Sequence, residues 1–229
     1  EALRRIMRAR LRALLRRMGE DRLWLGCLLL FGLCAGSYFL LQFLPLEHHS
    51  VECALDRRIP FVPVFVVPYI LWYVYVPLPL LYMSLTDKRR FARQAAALFP
   101  GILLCLGIFI LWPSRVDLRP ELSGEGGLFT ALCRIIYAHD KPLNVFPSMH
   151  CFEALTVYLT TFSGGLGKRH PALRAGSGVL AALICLSTVF IRQHSVLDGL
   201  AGCALAVVCS ALSGKLLSQK SCKKEDASS

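Results

Sequence analysis

Residues 61–85 read FVPVFVVPYILWYVYVPLPLLYMSL, a stretch of twenty-five residues that contains no charged side chain. About 20 apolar residues in a helix are enough to cross the ~30 Å hydrocarbon core of a bilayer. The prolines in the stretch predict a kink, because each removes a backbone hydrogen bond that neighbouring helices must replace. Residues 61–85 therefore predict one kinked membrane span.

Five further apolar blocks of similar length lie on either side of this stretch. Apolar residues make up 55% of the 229 residues, and the charged residues lie almost entirely between the blocks. This distribution excludes a disordered chain, a small disulfide scaffold and an ordinary soluble protein. It predicts an all-α, polytopic membrane protein with six transmembrane helices in one domain over residues 23–217. The six predicted spans are 23–44, 61–85, 94–113, 149–166, 172–191 and 196–217.

The net charge of +11 comes from arginines and lysines beside the apolar blocks. This placement favours anionic membrane lipids as partners and does not favour nucleic acid. Because basic loops stay on the cytoplasmic side of a membrane, we expect a multi-pass integral cell membrane protein with both termini in the cytoplasm. The predicted cytoplasmic regions are 1–22, 86–93, 167–175 and the polar tail 218–229, and the outer regions are 45–60, 114–148 and 192–195.

Residues 1–22 contain eight arginines, and their apolar residues recur at helical spacing. This pattern predicts an amphipathic helix that lies in the plane of the lipid head groups. Two interpretations of this helix remain open. In the first, the helix only provides the positive charge that orients the protein in the membrane. In the second, it binds lipid or a second copy of the chain. The sequence does not indicate the oligomeric state.

Three ionisable residues break the apolar pattern of the later spans. His150 begins the fourth predicted span within the motif PSMH (147–150), His194 follows the fifth span, and Asp198 opens the sixth. An ionisable group inside a span costs about 2.5–3.5 kcal/mol on insertion scales, so a functional reason is expected. Under the predicted topology, all three residues lie at the outer surface.

The spacing of His194 and Asp198 indicates acid–base chemistry. Residues four apart share a helix face, so Asp198 can accept one ring N–H of His194 and leave the other nitrogen as a base or nucleophile. His150, from another helix, can then protonate a leaving group. Arg119 and Arg192 can bind an anion through paired hydrogen bonds. The set suits a phosphate ester with a lipid leaving group.

At these residues the sequence resembles the type-2 phosphatidic acid phosphatase superfamily of integral membrane enzymes, and it is similar to divergent, bacterial members. The family carries three outward-facing motifs in the order KxxxxxxRP, PSGH and SRxxxxxHxxxD. The first appears here only as Arg119-Pro120, the second as 147–150 and the third as 187–198. The resemblance covers about residues 100–215, and the motif positions lie within 112–198.

The resemblance implies that His194 attacks phosphorus, that Asp198 orients this ring and that His150 protonates the leaving oxygen. Arg119, Arg192 and the Ser148 hydroxyl or backbone N–H would stabilise the phosphate oxygens, and water would then hydrolyse the phosphohistidine. The family needs no metal and no other cofactor. The implied protein is a metal-independent hydrolase of phosphoric esters or diphosphates in lipid metabolism, a lipid phosphatase with its active site on the extracytoplasmic side.

Two positions depart from the family motifs. Trp112 occupies the place of the lysine, and Thr188 occupies the place of the arginine. Arg115 lies three residues after Trp112, and Arg192 lies four residues after Thr188. On helices these arginines would share the faces of the lost residues, so Arg192 and Arg115 are both candidate phosphate ligands. For Arg115 a second interpretation remains open, in which its side chain only extends to the membrane interface.

Two other functions remain open at this stage. A lipid phosphotransferase, similar to inositol phosphorylceramide or sphingomyelin synthases, would use the same histidines and pass the phosphoryl headgroup to an alcohol. A non-catalytic lipid transporter is expected to carry polar residues near the middle of the bilayer, whereas here they cluster at one surface. The sequence does not define the tail or the headgroup of the substrate.

The remaining conspicuous residues have structural interpretations. Glu153 is expected to be a buried hydrogen-bonding residue or to line the substrate path, and the aromatic residues at 72–75 are expected to pack within the second span. Residues 124–136 predict a glycine hinge followed by a short amphipathic helix over the site. Cys53 and Cys133 both fall in outer regions, so a disulfide between them is one option.

Overall fold

The computed structural model describes residues 22–122, 126–162 and 169–226, together with residues 5, 16 and 167. The predicted amphipathic helix at 1–22 lies almost entirely outside the described residues, and the predicted glycine hinge lies partly outside them. Both therefore stay predictions.

The described chain is almost entirely helical. Its only strands, within the described ranges, are the two-residue segments β1 and β2, which pair in parallel. Shorter helical pieces are the 3₁₀ turns Asp56–Arg58 and Pro63–Phe65 and the π-helical turn Tyr158–Phe162. The helices and strands are α1 (Leu23–Leu41), β1 (His49–Ser50), α2 (Val66–Tyr75), α3 (Pro77–Thr86), α4 (Lys88–Leu111), β2 (Ser114–Arg115), α5 (Leu128–His139), α6 (Met149–Val157), α7 (Pro171–Phe190) and α8 (Val196–Asp226).

Within the described ranges, five helical segments are long and apolar enough to cross a membrane. Large apolar side chains lie exposed along them, and in α1 Leu29 and Leu40 are 66% and 70% exposed. Such surfaces are unfavourable in water and suit contact with lipid. The five segments are Trp24–Leu41, Pro63–Thr86, Lys88–Leu111, Pro171–Phe190 and Val196–Leu216.

The structure does not show the fourth predicted span, 149–166, as a helix of membrane length. Its described part consists of the nine residues of α6 and the five residues of the π-helical turn, which is too short to cross a bilayer. Seven of the residues of α6 are buried, including His150 and Glu153. Because α6 packs inside the other helices, most of its side chains contact protein. A sixth span is therefore not shown by the described residues.

The kink predicted in residues 61–85 is confirmed as a break between α2 and α3 at Val76. Pro77 follows this residue and has no N–H with which to continue the hydrogen bonding of α2. The short amphipathic helix predicted after the glycines is also confirmed, as α5. Its Cys133 is buried against Val66, Tyr69 and Ile191, while Leu128 and Ile135 are exposed.

Helix α6 lies at the centre of the fold, packed against α8, α7 and α4. Phe152 of α6 is fully buried and its ring lies directly over Gly101 of α4, where a Cβ would overlap the ring. The start of α6, the end of α7 and the start of α8 lie at the same end of this core. Residues at these three helix ends therefore meet at one place.

Candidate active site

His150, His194 and Asp198 lie together at this end of the core. Nε2 of His194 is 3.4 Å from Nδ1 of His150, and Nδ1 of His194 is 3.5 Å from the Asp198 carboxylate. Both histidines are buried, and Asp198 is fully buried. Tertiary packing thus brings into one cluster three residues that the sequence separates by as many as 48 positions.

The neighbours of His194 define which of its nitrogens carries the proton. Nδ1 lies 3.1 Å from the carbonyl oxygen of Val145 as well as near Asp198. Both of these neighbours accept hydrogen bonds, so Nδ1 must be the donor and Nε2 keeps its lone pair. This lone pair faces Nδ1 of His150, which is then the protonated nitrogen of that ring.

Close contact between α6 and α8 fixes the position of Asp198. The backbone N–H of Ser148 donates to the carbonyl oxygen of Asp198 at 3.0 Å, and the Ser148 hydroxyl oxygen accepts from the backbone N–H of Cys151 at the start of α6. Gly202 lies one turn after Asp198. A Cβ at Gly202 would overlap the Ser148 carbonyl oxygen, so only glycine permits this approach.

A tight turn after α7 carries His194 back towards the core. Helix α7 ends at Phe190, and the backbone N–H groups of Gln193 and His194 both donate to the carbonyl oxygen of Thr188. Arg192 adopts a left-handed backbone with φ 57°. Such a conformation is unfavourable for a non-glycine residue by about 1–2 kcal/mol and is often found at functional sites.

Asp56, from the loop after β1, caps the start of α8. Its two carboxylate oxygens accept the backbone N–H groups of Cys53 and Val196 at 2.7 and 2.8 Å. Burial by itself would raise the pKa of the Asp56 carboxyl, but these hydrogen bonds hold that pKa below its usual value. The loop is thereby attached to the helix that carries Asp198.

Two aromatic rings enclose His150. The Tyr69 ring stacks on the imidazole with 4.5 Å between centroids, and the Trp72 ring lies 4.2 Å away. Trp72 packs against the core, as expected for the aromatic residues of the second span, and it also contacts a candidate catalytic residue. The two rings therefore restrict the position of the imidazole.

A buried carboxylate, Asp140, lies next to this cluster and was missed in the sequence. It accepts hydrogen bonds from four side chains of three separate segments, and the shortest comes from the Tyr69 hydroxyl at 2.6 Å. The other donors are Tyr38 at 2.9 Å, Gln42 at 3.4 Å and Gln193 at 3.4 Å. Tyr69 stacks on His150, and Gln193 directly precedes His194 in the chain. Asp140 is therefore linked to both histidines through these two side chains.

Arg119 joins the same network. Its guanidinium donates to the backbone carbonyls of Tyr137 and Asp140 and to the side-chain oxygen of Gln193, the neighbour of His194. It also lies 4.3 Å above the Tyr137 ring. Burial lowers the pKa of Arg119, and the charge of Asp140 opposes this decrease. Arginine remains a cation under these conditions, so Arg119 provides a partly buried positive charge beside Gln193, the neighbour of His194.

Two of the predicted phosphate ligands, Arg192 and Arg115, do not lie on the helices on which the sequence analysis expected them. Arg192 follows the end of α7, so the predicted sharing of a helix face with Thr188 is wrong, and its guanidinium donates to the carbonyl oxygen of Ile59. Arg115 lies on β2 after α4 has ended, and it forms an exposed ion pair with Asp117 at 3.4 Å. The helix-face argument therefore fails for both arginines.

Several buried polar atoms around the cluster have no hydrogen-bond partner within the described residues. They include donors as well as acceptors, which is unusual in a folded protein because an unpaired buried donor costs about 1–3 kcal/mol. The side-chain atoms concerned are His150 Nε2, Asp198 Oδ1, Arg119 Nε, Arg192 Nε, and Nδ2 and Oδ1 of Asn144. An anion with several oxygens could accept from the unpaired N–H groups.

A largely apolar cavity adjoins His150. It has a volume of about 90 Å³ and opens between α1, α2 and α6. Its apolar lining includes Phe31, Val76, Ile102 and Met149, and its polar lining includes His150 and Glu153. Glu153 is 1% exposed and its Oε2 atom has no partner among the described residues. The predicted placement of Glu153 on a substrate path is compatible with this position.

Two further points of the sequence analysis concern regions predicted to lie on the outer side. Trp112, at the place of the family lysine, stacks on His49 with 5.6 Å between the ring centroids. Cys53 and Cys133 are both free, and the Cys133 thiol contacts the carbonyl oxygen of Pro63. The structure therefore contains no disulfide between Cys53 and Cys133.

The residues that sequence reasoning missed share one weak signal. Tyr38 and Tyr69 lie within apolar helices, and a buried tyrosine hydroxyl usually has a hydrogen-bond partner. That rule could have prompted a search for acceptors such as Asp140. It could not have identified the acceptor, because Asp140 lies 71 positions from Tyr69 in the chain.

Comparison with known proteins gives one match. Residues 127–221 match the family model described as the PAP2 superfamily. Neither a curated protein nor a solved structure matches the chain. The matched range contains His150, His194 and Asp198, whereas Arg119 lies before it. Membership of this superfamily implies phosphatase or phosphotransferase chemistry on phosphate esters. Residues 127–221 thus form a PAP2 superfamily domain within a helical protein that has several apolar helices of membrane length.

Proposed function

We propose that this protein is a membrane-embedded phosphatase that removes phosphate from a lipid phosphate or pyrophosphate through a phosphohistidine intermediate. The observation that carries the proposal is the arrangement of the two histidines. Nδ1 of His194 is held by two acceptors, and its Nε2 lone pair faces His150 at 3.4 Å. This arrangement supports a nucleophile on one ring and a proton donor on the other.

In the proposed reaction, Nε2 of His194 forms a bond to phosphorus while the bond from phosphorus to the leaving oxygen breaks. His150 donates a proton to that oxygen, and Asp198 stabilises the positive charge on the His194 ring. Water then attacks the phosphohistidine, with His150 as the base, and releases phosphate. Reacting atoms approach to about 3–3.5 Å before reaction. Phosphorus must therefore take the place that Nδ1 of His150 now holds, and the His150 ring moves towards the adjoining cavity.

Arg119 and Arg192 supply the positive charge for the phosphate oxygens in this proposal. Each carries a buried Nε atom without a partner in the described part of the chain, and Arg119 lies against Gln193 beside the proposed nucleophile. The Ser148 hydroxyl uses only its lone pair in capping α6, so its proton remains available to a phosphate oxygen. Such fixed donors stabilise the charge that develops in the transition state.

The apolar cavity beside His150 supports a lipid leaving group. Its lining of aromatic and aliphatic residues offers a chain of CH₂ groups about 0.8 kcal/mol for each group buried. The five apolar membrane-length helices support the same proposal, since a lipid phosphate resides in the bilayer.

The proposal is tested by phosphate release from purified protein in detergent. We expect release from at least one of phosphatidic acid, lysophosphatidic acid and a polyprenyl pyrophosphate, without any added divalent cation. His170→Ala is the matched control, since His170 is exposed in the loop before α7, and it should retain full activity. Transfer of the phosphoryl headgroup to an added alcohol, without free phosphate, would instead identify a lipid phosphotransferase. If the protein shows neither phosphate release nor phosphoryl transfer with any of these substrates, the proposal is contradicted.

We further propose a topology in which α6 and the residues up to 166 form a sixth crossing, with both termini in the cytoplasm and the histidines at the outer surface. His48→Cys should then react with an impermeant maleimide from outside intact cells. Lys88→Cys and Lys168→Cys should react only after permeabilisation, because their loops carry the basic residues. Outside labelling at position 168 would overturn this orientation, and the buried Cys105 serves as the unlabelled control.

A further inference from the structure

Three cysteines from three different helices meet behind the histidine cluster. They are Cys151 of α6, Cys185 of α7 and Cys203 of α8, and their sulfur atoms all lie within 4.8 Å of one another. Cys151 is 1% exposed, and the other two are partly buried. Most cysteines in this chain lie in apolar surroundings, where a thiol acts as a small hydrophobic group. That role does not require three thiols to point at one place.

The distances fit coordination of one metal ion. Zinc–sulfur bonds are about 2.3 Å long, which places the sulfur atoms of a tetrahedral site about 3.8 Å apart. The observed separations of up to 4.8 Å differ from this value by about 1 Å at most. Small rotations of the side chains therefore suffice to close the site around an ion, without movement of the helices.

A hydroxyl oxygen lies beside the three thiols. Thr188 Oγ1 is 3.7 Å from the Cys151 sulfur, and its own proton is donated to the carbonyl oxygen of Cys185 at 2.8 Å. Its remaining lone pair therefore faces the thiol cluster. An oxygen lone pair in this position is suited to the fourth place of a tetrahedral site, directly or through a water.

We propose that Cys151, Cys185 and Cys203 bind one thiophilic divalent cation, of which Zn²⁺ is the representative. Binding converts three thiols to thiolates, releases three protons and leaves a complex with one net negative charge. A monovalent ion such as Cu⁺ would leave two negative charges in the same partly buried place, which is less favourable. Hard cations such as Mg²⁺ and Ca²⁺ prefer oxygen ligands and do not fit this set.

The ion would hold the catalytic end of the fold together. Cys151 follows His150 directly, Cys203 lies five residues after Asp198, and Cys185 lies five residues before the end of α7. Five helical residues correspond to about 7.5 Å, so the site lies one to two turns behind the histidines. A bound ion would join the three helix ends that position His150, His194 and Asp198. It would act on their arrangement and take no part in the proposed phosphoryl chemistry.

The test uses Cd²⁺ as a spectroscopic substitute of the same charge, added to the full chain in detergent with a phosphine reductant. We expect a sulfur-to-cadmium charge-transfer band that saturates at one ion per chain, with release of three protons. At a concentration 100-fold above Kd, the ion should raise the apparent Tm by about 5 °C or more. These three readouts use the unmutated protein, so they do not depend on the folding of a variant.

Single substitutions assign the ligands. Cys151→Ala, Cys185→Ala and Cys203→Ala should each weaken Cd²⁺ binding about 100-fold, as expected for loss of one thiolate among a few ligands. Cys105→Ala is the matched control, because Cys105 is fully buried in α4 and outside the cluster, and it should bind like the parent. No band in the reduced parent, binding as tight as the parent's in any of the three variants, or a disulfide among these cysteines in the isolated protein would each overturn the proposal.

Discussion

His194→Ala is expected to lower phosphate release by about 10⁴-fold or more, on lipid phosphates and on a nitrophenyl phosphate alike. No phosphohistidine can form in this variant, whichever group departs. His150→Ala should differ between the two substrates. It should lower kcat/KM on a lipid phosphate by about 10²- to 10⁴-fold, the usual contribution of a general acid. On nitrophenyl phosphate it should retain a large fraction of the parent activity, because that leaving oxygen hardly needs a proton.

The comparison of the two substrates tests the assignment of roles and separates it from loss of folding. A variant that merely unfolds loses both activities, so selective retention by His150→Ala cannot arise from unfolding. Asp198→Ala should lose nearly as much activity as His194→Ala on both substrates, since the ring would lose its carboxylate partner at 3.5 Å. The reverse pattern would exchange the two roles. Equal tolerance of both histidine losses would mean that neither ring reacts with phosphorus.

Asp140→Ala is expected to reduce the free energy of unfolding by about 3–5 kcal/mol, the usual result of removing one partner from a buried charged network. Four side-chain donors would lose their acceptor, two of them tyrosine hydroxyls at 2.6 and 2.9 Å. The charge of Arg119 would remain buried without a nearby carboxylate. At about 2–4 °C per kcal/mol for a protein of this size, the apparent Tm in detergent should fall by roughly 6–20 °C.

Asp117→Ala provides the matched control for this prediction. Asp117 is also an aspartate of the loops near the site, but its side chain is 60% exposed and its ion pair with Arg115 is exposed as well. Exposed pairs contribute about 0–1 kcal/mol, so the Tm should change by no more than a few degrees. Asp140→Asn keeps the shape of the side chain and one acceptor oxygen, so its Tm should lie between those of Asp140→Ala and Asp117→Ala. A Tm for Asp140→Ala within the range of the control would contradict the structural role of Asp140.

The parts of the site that sequence reasoning anticipated depend on short-range geometry. His194 and Asp198 are four residues apart, so their contact follows from a turn and a helix start in that segment. The PSMH motif places Ser148 at the start of α6 in the same way, where its hydroxyl caps the helix. Such relations are set by local backbone geometry, which the order of residue types reveals.

The parts that failed depend on where a helix ends. Arg192 was expected to share the face of Thr188, but α7 ends at Phe190 and the chain turns through a left-handed residue. Arg115 was expected to lie on the helix that carries Trp112, but α4 ends at Leu111. Helix ends are the least certain feature of a sequence-based prediction, and a shift of a few residues redirects a side chain completely.

The sequence by itself determined several apolar helices of membrane length, a kink within the proline-containing stretch 61–85 and the superfamily that residues 127–221 match. Long uncharged blocks and ordered motifs are sufficient for these conclusions, because lipid tolerates few other backbone structures. Only the tertiary structure decided that α6 is a buried central helix, that Tyr69 and Trp72 enclose His150, and that Asp140 collects four donors. It also decided that three thiols meet behind the site. These features join residues separated by tens of positions, and no local pattern records which helix faces will pack together.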